Sequence, residues 1–258
     1  MPYEAASHLE CLGDFARPDV SRWARKGVPE VVLADRKTAE QSVAIAHRFL
    51  ETEGRAIISR VGPEVEGALR RHFTPPVLIE WQPEPRAMVL RQPGFAVRPT
   101  GGRVGVMTAG TSDIPVAAEA ALLCREMGCE VHSVHDVGVA GLHRLFEPLQ
   151  HLLTEARVDV LIVAAGMDGA LPSVVSGLVD VPVIGLPTSI GYGYGGQGVS
   201  ALMSMLQTCA PGLAVVNIDN GIGAGAIAGV IANRAAAARG GAGTNAVPVR
   251  RPRKGRKK

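Results

Sequence analysis

From residue 103 onward, the sequence alternates a predicted strand with a predicted helix in a regular series. The predicted strands are 104–107, 130–134, 158–164, 181–186 and 213–218, and the predicted helices are 114–127, 142–155, 200–206 and 224–238. The run 158–164 is apolar almost throughout, as expected when helices cover both faces of a parallel sheet. Serial strand–helix units predict an α/β fold: a three-layer, doubly wound parallel sheet with its strand carboxyl ends on one edge.

The first 99 residues follow a more charged and less regular pattern. Helical spacing of apolar residues and short apolar runs predict helices over 36–51 and 63–73 and strands over 56–58 and 77–79. Prolines and glycines between residues 83 and 102 indicate a connection without strands or helices. The sequence therefore predicts a smaller α+β domain over 1–99, followed by the doubly wound domain over 103–238.

The net charge of +3 depends on the last nine residues, RRPRKGRKK, which hold 7 of the 27 Lys and Arg. Without them, 20 basic residues face 24 acidic ones, so the folded part has no charge suited to a polyanion. Residues 239–258 are glycine-rich and then basic, which predicts a disordered basic tail. We expect no nucleic-acid partner except through this tail.

The cysteines and the N-terminal residues indicate in which cellular compartment the protein works. The four cysteines form no CxxC pair and no zinc ligand set, and the first 15 residues lack a signal-peptide pattern. No run approaches the ~18 consecutive apolar residues of a membrane span. We expect a cytoplasmic protein with no membrane contact.

Every predicted strand of the second domain ends in small or polar residues, and these ends should share one edge, where ligands bind in such sheets. The candidate binding residues at this edge are Gly110, Thr111, Ser112, Asp113, Asp136, Arg144, Gly166, Met167, Gly169, Ser189, Gly196, Asn217, Asp219 and Asn220. The turn 110–113 precedes a helix and could hold a phosphate, although a helix cap is the simpler explanation from spacing alone; the two roles are compatible. This turn is not a Walker loop, since no Gly-Lys-Ser/Thr follows, and it carries no GxGxxG fingerprint.

Candidate reactive groups are fewer, and each has a structural alternative. Asp168, Asp219 and Asp136 suit magnesium binding or proton transfer, but each alone could be a turn residue. His143 and Arg144 open a predicted helix and could be solvated helix residues. Cys209 follows a predicted helix, whose end carries partial negative charge and disfavours a thiolate, so a nucleophilic Cys209 needs a cationic partner.

Several segments resemble the PurE-type aminoimidazole ribonucleotide (AIR) carboxylases and mutases, which have a flavodoxin-like sheet. The similar segments are GTSD (110–113), AGMDGALPSVV (165–175) and PVIGLP (182–187). A closer resemblance is to the LarB family of nickel-pincer cofactor biosynthesis. It runs through HDVGVAGLHRL (135–145), AGMDGALPSVVSGL (165–178), PVIGLPTSIGYGYGGQG (182–198), SMLQTCAPGLAVVNIDNGIGAG (204–225) and RWARKGVPEVVLADRKT (22–38). The Ser-Ala-His-Arg-Thr-Pro segment of the purine enzymes is absent.

The LarB resemblance implies a carboxylase/hydrolase acting on nicotinic acid adenine dinucleotide and carbon dioxide or bicarbonate. It implies a covalent Cys209 adduct, with Asp168, or else His143, as the base. It also implies Mg²⁺ near Asp219 or Asp113, no organic cofactor, and a homo-oligomer, an octamer as in PurE-type enzymes.

Two other functions remain open at this level. One is a PurE-type imidazole ribonucleotide carboxylase or mutase of purine synthesis. The other is a non-catalytic nucleotide- or nucleic-acid-binding protein that uses the basic tail, a function that deletion of residues 240–258 would abolish.

Overall fold

The computed structural model describes residues 12–240, which form two β-sheets with helices packed on them. The second sheet has five parallel strands: β5 (Arg103–Thr108), β6 (Glu130–Val134), β7 (Val160–Ala165), β8 (Val183–Pro187) and β9 (Leu213–Val215). Their order is β6-β5-β7-β8-β9. This is the flavodoxin-like order, in which the first and third strands of the series lie side by side. The predicted doubly wound α/β fold is confirmed.

Helices cover both faces of this sheet. The covering helices are α4 (Ile114–Glu126), α5 (His143–Thr154), α6 (Leu171–Ser176), α7 (Val199–Leu206) and α8 (Gly221–Ala238). Residues of α4 and α8 share one buried cluster with the sheet, and residues of α5, α6 and α7 share the other. The three layers place every strand carboxyl end on a single edge of the sheet, which we call the carboxyl edge.

Helix α8 packs closely on α4 through glycines one turn apart. A Cβ at Gly225 would lie 2.6 Å from the carbonyl oxygen of Ala120, and one at Gly221 would lie 2.5 Å from that of Val116. Length and composition alone would let α8 cross a membrane, although 39% of that stretch is buried in the fold. Its contacts with α4 and the sheet make it a core helix.

The first sheet has four strands in the order β1-β2-β4-β3. Its strands are β1 (Val31–Leu33), β2 (Arg55–Ser59), β3 (Leu78–Gln82) and β4 (Ala87–Arg91), and its helices are α1 (Arg22–Lys26), α2 (Ala39–Glu53) and α3 (Pro63–His72). Strand β1 runs parallel to β2, whereas β4 is antiparallel to both of its neighbours. Apolar residues of α2 and α3 cover one face.

Strand β4 corrects the prediction that residues 83–102 form only a connection. The prolines at 83 and 85 belong to a tight turn between β3 and β4, in which Arg86 N donates to the carbonyl oxygen of Pro83 at 3.1 Å. Beyond that turn, β4 is a buried central strand. Three short elements were also not predicted, because elements of this length show little periodicity: β1 with three residues, α1 with five and α6 with six. The predicted tail, from residue 241 onward, and Cys11 lie outside the described residues.

The two sheets are joined where β2 lies against α4. Three alternate residues of β2 meet residues of α4 at helical spacing: Arg55 with Glu126, Ile57 with Leu122, and Ser59 with Glu119. Arg55 Nη1 donates to Glu126 Oε2 at 2.9 Å, and both side chains are at most 5% exposed. The helix that begins at the carboxyl edge is therefore held along its length by the first sheet.

Glu53, the last residue of α2, gives a pH-dependent test of this fold. Burial raises the pKa of Glu53 to about 7, and its Oε1 has no hydrogen-bond partner. A carboxyl group whose pKa is raised by folding destabilises the fold once it ionises, so stability falls as pH rises from the ordinary value of 4.5 through about 7.

We expect Glu53→Gln to be more stable than the wild type by about 1 kcal/mol above neutral pH, a figure reduced for partial exposure. The difference should vanish in acid, where Glu53 is already neutral. Thermal unfolding at several pH values measures it. Glu51→Gln is the control, because Arg48 lowers the pKa of that exposed carboxyl group. A stability difference that does not change with pH would contradict the assignment.

Candidate active site

The candidate site lies at the carboxyl edge, where β5 and β7 are neighbours. The helix after β5 packs on one face of the sheet and the helix after β7 on the other, so the chain opens a crevice between them. Asp113, 4% exposed, lies at this point, just before α4. Its Oδ1 accepts a hydrogen bond from Thr188 Oγ1 at 2.6 Å, and its Oδ2 accepts one from Gly110 N at 2.9 Å. One carboxylate thus ties the turns after β5 and β8 together.

The protonation of Asp113 reflects opposing effects. Burial raises its pKa, hydrogen bonds from Thr188 and the Gly110 and Gly166 amides lower it, and the Asp219 carboxylate raises it again; the net direction is upward. The place of Thr188 directly after an apolar strand puts it at this edge, but nothing in the sequence indicated that it would bond to Asp113. Both oxygens of Asp113 already accept hydrogen bonds, so this side chain has a structural role: it holds two turns of the site together.

Thr111 and Ser112, directly before Asp113 in the chain, are exposed in a single 3₁₀ turn that leads into α4. Gly110, in extended conformation, precedes them. The Ile114 amide of α4 donates to Thr111 O, and Pro115 has no amide hydrogen. The two exposed hydroxyl groups therefore remain at the helix N-terminus, an arrangement that favours an anion.

The turn after β7 is held by backbone contacts. Met167 has φ +51° and donates its amide to the carbonyl oxygen of Ile190 at 2.9 Å. A Cβ at Gly166 would lie 2.0 Å from that same oxygen, so only glycine fits. Gly169, at φ +60°, packs on Ala201 of α7 in the same way. Asp168 is exposed within this turn.

The turn after β9 is joined to the turn after β8, which also contacts Asp113. Asp219 has φ +53°, and its Oδ1 accepts a hydrogen bond from Ser189 N at 2.8 Å. Asn220 caps α8 by accepting from Gly223 N at 2.8 Å, so its oxygen is engaged in structure. Asn217 is exposed at the end of the strand, and Gly196 is half-buried in the glycine-rich segment that leads to α7.

The turn after β6 brings a cation to the far side of the edge. Arg144 Nη1 donates to Asp136 Oδ2 at 2.7 Å, and both side chains are substantially exposed. Asp136 has φ +60°, and its amide donates to Thr108 Oγ1 at 3.3 Å, which fixes the turn to the end of β5. His143 is exposed at the start of α5.

Cys209 does not join these residues within one copy of the chain. It is exposed in the segment between α7 and β9, at the edge where the strands begin. Next to it, Pro211 O accepts from Ser176 Oγ at 2.7 Å, and Gly212 O accepts from Val183 N, the first residue of β8. The five residues of β8, about 16 Å of strand, separate this edge from the carboxyl edge.

The predicted magnesium ligands do not form a metal site by themselves. Asp113 is buried with both oxygens engaged, and Asp219 has one oxygen engaged. Within residues 12–240, no group of three or more His, Cys, Asp or Glu side chains could hold a metal ion. These residues therefore do not fit a Mg²⁺ ion held by the protein alone.

Comparison with known proteins agrees with this two-part architecture. The AIR carboxylase family model matches residues 103–247, and the LarB/PurE-like N-terminal domain model matches residues 9–92. An uncharacterized protein of Methanocaldococcus jannaschii is 41% identical over 228 residues, 88% of this chain and 87% of its own length.

Several relatives that match about half of this chain are named as enzymes, and two of them serve as examples. The N5-carboxyaminoimidazole ribonucleotide mutase of Methanocaldococcus jannaschii is 33% identical over 125 residues, 48% of this chain and 74% of its own. That of Thermotoga maritima is 31% identical over 136 residues, 50% of this chain and 74% of its own. A LarB-type domain on the first sheet and an AIR carboxylase domain on the second lead to one assignment: the chain belongs to the LarB family, with a PurE-type C-terminal domain.

Proposed function

We propose a specific reaction for this chain, which is a PurE-like enzyme with a carboxylase-related function. We propose that it carboxylates the pyridinium ring of nicotinic acid adenine dinucleotide and hydrolyses the phosphoanhydride, releasing AMP and pyridinium-3,5-biscarboxylic acid mononucleotide. The observation that carries this proposal is the pairing of a LarB-type N-terminal domain with an AIR carboxylase domain. An exposed thiol, Cys209, in the matched domain supports it. The cytoplasm is the compartment we propose.

Binding of the dinucleotide uses the carboxyl edge. The 3₁₀ turn with Thr111 and Ser112 offers amides and hydroxyl groups to phosphate oxygens at the N-terminus of α4. Arg144, whose side chain is 38% exposed, offers positive charge at the same edge. Asp136 accepts a hydrogen bond from Arg144 and keeps it oriented.

The carboxylation needs a nucleophile because a pyridinium ring is too electron-poor to attack carbon dioxide. The Cys209 thiolate bonds to a ring carbon, and the ring electrons move to nitrogen, which makes the adjacent meta carbon enamine-like. That carbon forms a bond to carbon dioxide. A base, Asp168 ahead of His143, then takes the proton from it, and this restores the enamine. Departure of Sγ with its bonding electrons restores the aromatic cation.

Hydrolysis completes the reaction. Water attacks a phosphorus of the anhydride, the bond to the bridging oxygen breaks, and AMP leaves with the other phosphate retained on the mononucleotide. Any Mg²⁺ in this step would be carried by the diphosphate itself, as phosphates commonly do.

This chemistry requires Cys209 of one copy to meet the carboxyl edge of another, because the two edges of one copy are separated by a strand length. The surface next to Cys209 supports such an assembly. Val199, Met203 and Leu206 form an apolar stripe along α7 and are 52%, 64% and 65% exposed. An unpartnered stripe of this kind favours burial against a second copy. We propose a homo-oligomer, an octamer as in PurE-type enzymes, in which this stripe is covered.

We expect the wild-type protein, given the dinucleotide, bicarbonate and Mg²⁺, to produce AMP and the dicarboxylated mononucleotide, both measured by mass spectrometry. Cys209→Ser should make no dicarboxylated product, because its oxygen is far less nucleophilic. Cys129→Ser, which changes a buried thiol that contacts Asn233, is the matched control and should stay active.

If Cys209→Ser forms as much product as the wild type, the covalent mechanism is wrong while the function stands. If the folded wild-type protein gives no product, the proposed function is wrong. An imidazole ribonucleotide then becomes the substrate to test, a choice that the mutase relatives favour. Against it, residues 135–141 read HDVGVAG and lack the purine enzymes' Ser-Ala-His-Arg-Thr-Pro.

Mixing two inactive variants tests whether the site is shared between copies. Cys209→Ser and Asp168→Asn should each be inactive alone. After co-expression in equal amounts, about a quarter of the shared sites would combine an intact Cys209 with an intact Asp168, and activity should return to that level. Co-expression of Cys209→Ser with Cys209→Ala is the control and should restore nothing. No recovery in a mixed assembly of confirmed composition would contradict the shared site.

A further inference from the structure

Arg60 reaches from the first sheet into the candidate site. It follows β2 directly, has φ +58°, and its side chain is 30% exposed. Its Nη2 donates a hydrogen bond to the backbone carbonyl oxygen of Asp219 at 2.7 Å. Asp219 lies 159 positions further along the chain, in the turn after β9. This contact joins the N-terminal domain to a turn of the carboxyl edge.

Two carboxylates hold the guanidinium in place. Arg60 Nε donates to Glu119 Oε1 at 3.2 Å, and Nη1 lies 3.6 Å from Asp35 Oδ2. The Glu119 side chain is 5% exposed, and the same Oε1 accepts from Ser59 Oγ at 2.6 Å. Since each of the three guanidinium nitrogens faces a protein oxygen, the group is oriented rather than free to follow a ligand.

The turn that Arg60 holds is one that needs support. Asp219 is a non-glycine residue at positive φ, a conformation that the surroundings must maintain. Its amide donates to Pro187 O at 2.9 Å and its Oδ1 accepts from Ser189 N at 2.8 Å, which leaves the backbone carbonyl oxygen to be paired by another residue. Arg60 supplies that partner, with a charge-assisted hydrogen bond.

We propose that Arg60 is a positioning residue through which the N-terminal domain sets the conformation of the 217–220 turn and of Ser189 for substrate binding. The link to binding rests on the proposed function, whereas the effect on the turn does not. Without Arg60, the turn loses one of its supports and samples other conformations. The residues it carries are binding residues, so the dinucleotide should bind more weakly while the chemical step changes little.

The experiment uses the full-length assembled protein with Arg60→Met and Arg60→Lys. Methionine removes the charge and all donors. Lysine keeps a charge opposite Glu119 and Asp35 but offers a single ammonium, which cannot hold a carboxylate and the distant carbonyl group together. Arg91→Met is the matched control, because Arg91 also extends from the first sheet to α4, where it pairs with Glu126.

Hydrogen exchange by mass spectrometry measures the turn directly. We expect the amides of Ser189, Asp219, Asn220 and Gly223, all hydrogen-bonded in the structure, to exchange about tenfold faster in Arg60→Met and in Arg60→Lys. Arg91→Met should leave these amides at the wild-type rate. Unchanged exchange in either folded Arg60 variant would overturn the proposal, and so would equal acceleration in Arg91→Met.

Kinetics test the functional half. In Arg60→Met, KM for the dinucleotide should rise about tenfold while kcat stays within a small factor, with Arg60→Lys intermediate in KM. An equal loss in kcat with unchanged KM would overturn a positioning role in binding. If the wild type has no activity on the dinucleotide, the proposed function fails, yet the exchange result still decides whether Arg60 holds the turn.

Discussion

The contact of β2 with α4 is the interaction on which the arrangement of this protein depends. Arg55 and Glu126 are buried together, and the guanidinium carbon of Arg55 lies 5.6 Å and 5.2 Å from the ring centres of Trp23 and Phe95. Removing Glu126 would leave the buried charge of Arg55 uncompensated, at a cost of about 3–5 kcal/mol. Ile57 and Leu122 add an apolar contact on the same line between the first sheet and α4.

That contact has a consequence for the site because α4 is shared. The helix begins at the exposed turn proposed to bind phosphate, and its Glu119 and Glu126 meet the first sheet. Arg60 extends the same contact to the turn after β9. The N-terminal domain thus contacts two parts of the carboxyl edge from outside the doubly wound sheet: helix α4 and the turn after β9.

The sequence predicted the second sheet well because buried parallel strands are nearly continuous apolar runs, and their ends converge for topological reasons. It predicted the first sheet less well. Strand β4 follows two prolines that form a tight turn, and β1 has three residues. The place of Thr188 after an apolar strand was a local signal, but its bond to Asp113 was not, because the two residues are distant along the chain. Arg60 gave no local signal, since its partner Asp219 is also distant. The location of Cys209 could have been predicted from the sequence. A residue between a helix and the next strand of such a fold lies at the edge opposite the strand carboxyl ends.

The central claim is that Cys209 of one copy and the carboxyl edge of another form one site. An experimental structure of the assembled protein with bound nicotinic acid adenine dinucleotide tests it most directly, through the distance from Cys209 Sγ to the nearest pyridinium ring carbon. We predict that the ring lies at the carboxyl edge of a neighbouring copy, with Sγ within about 3.5 Å of a ring carbon or bonded to it. An assembly in which every Cys209 Sγ stays about a strand length, roughly 16 Å, from all bound rings would contradict the account.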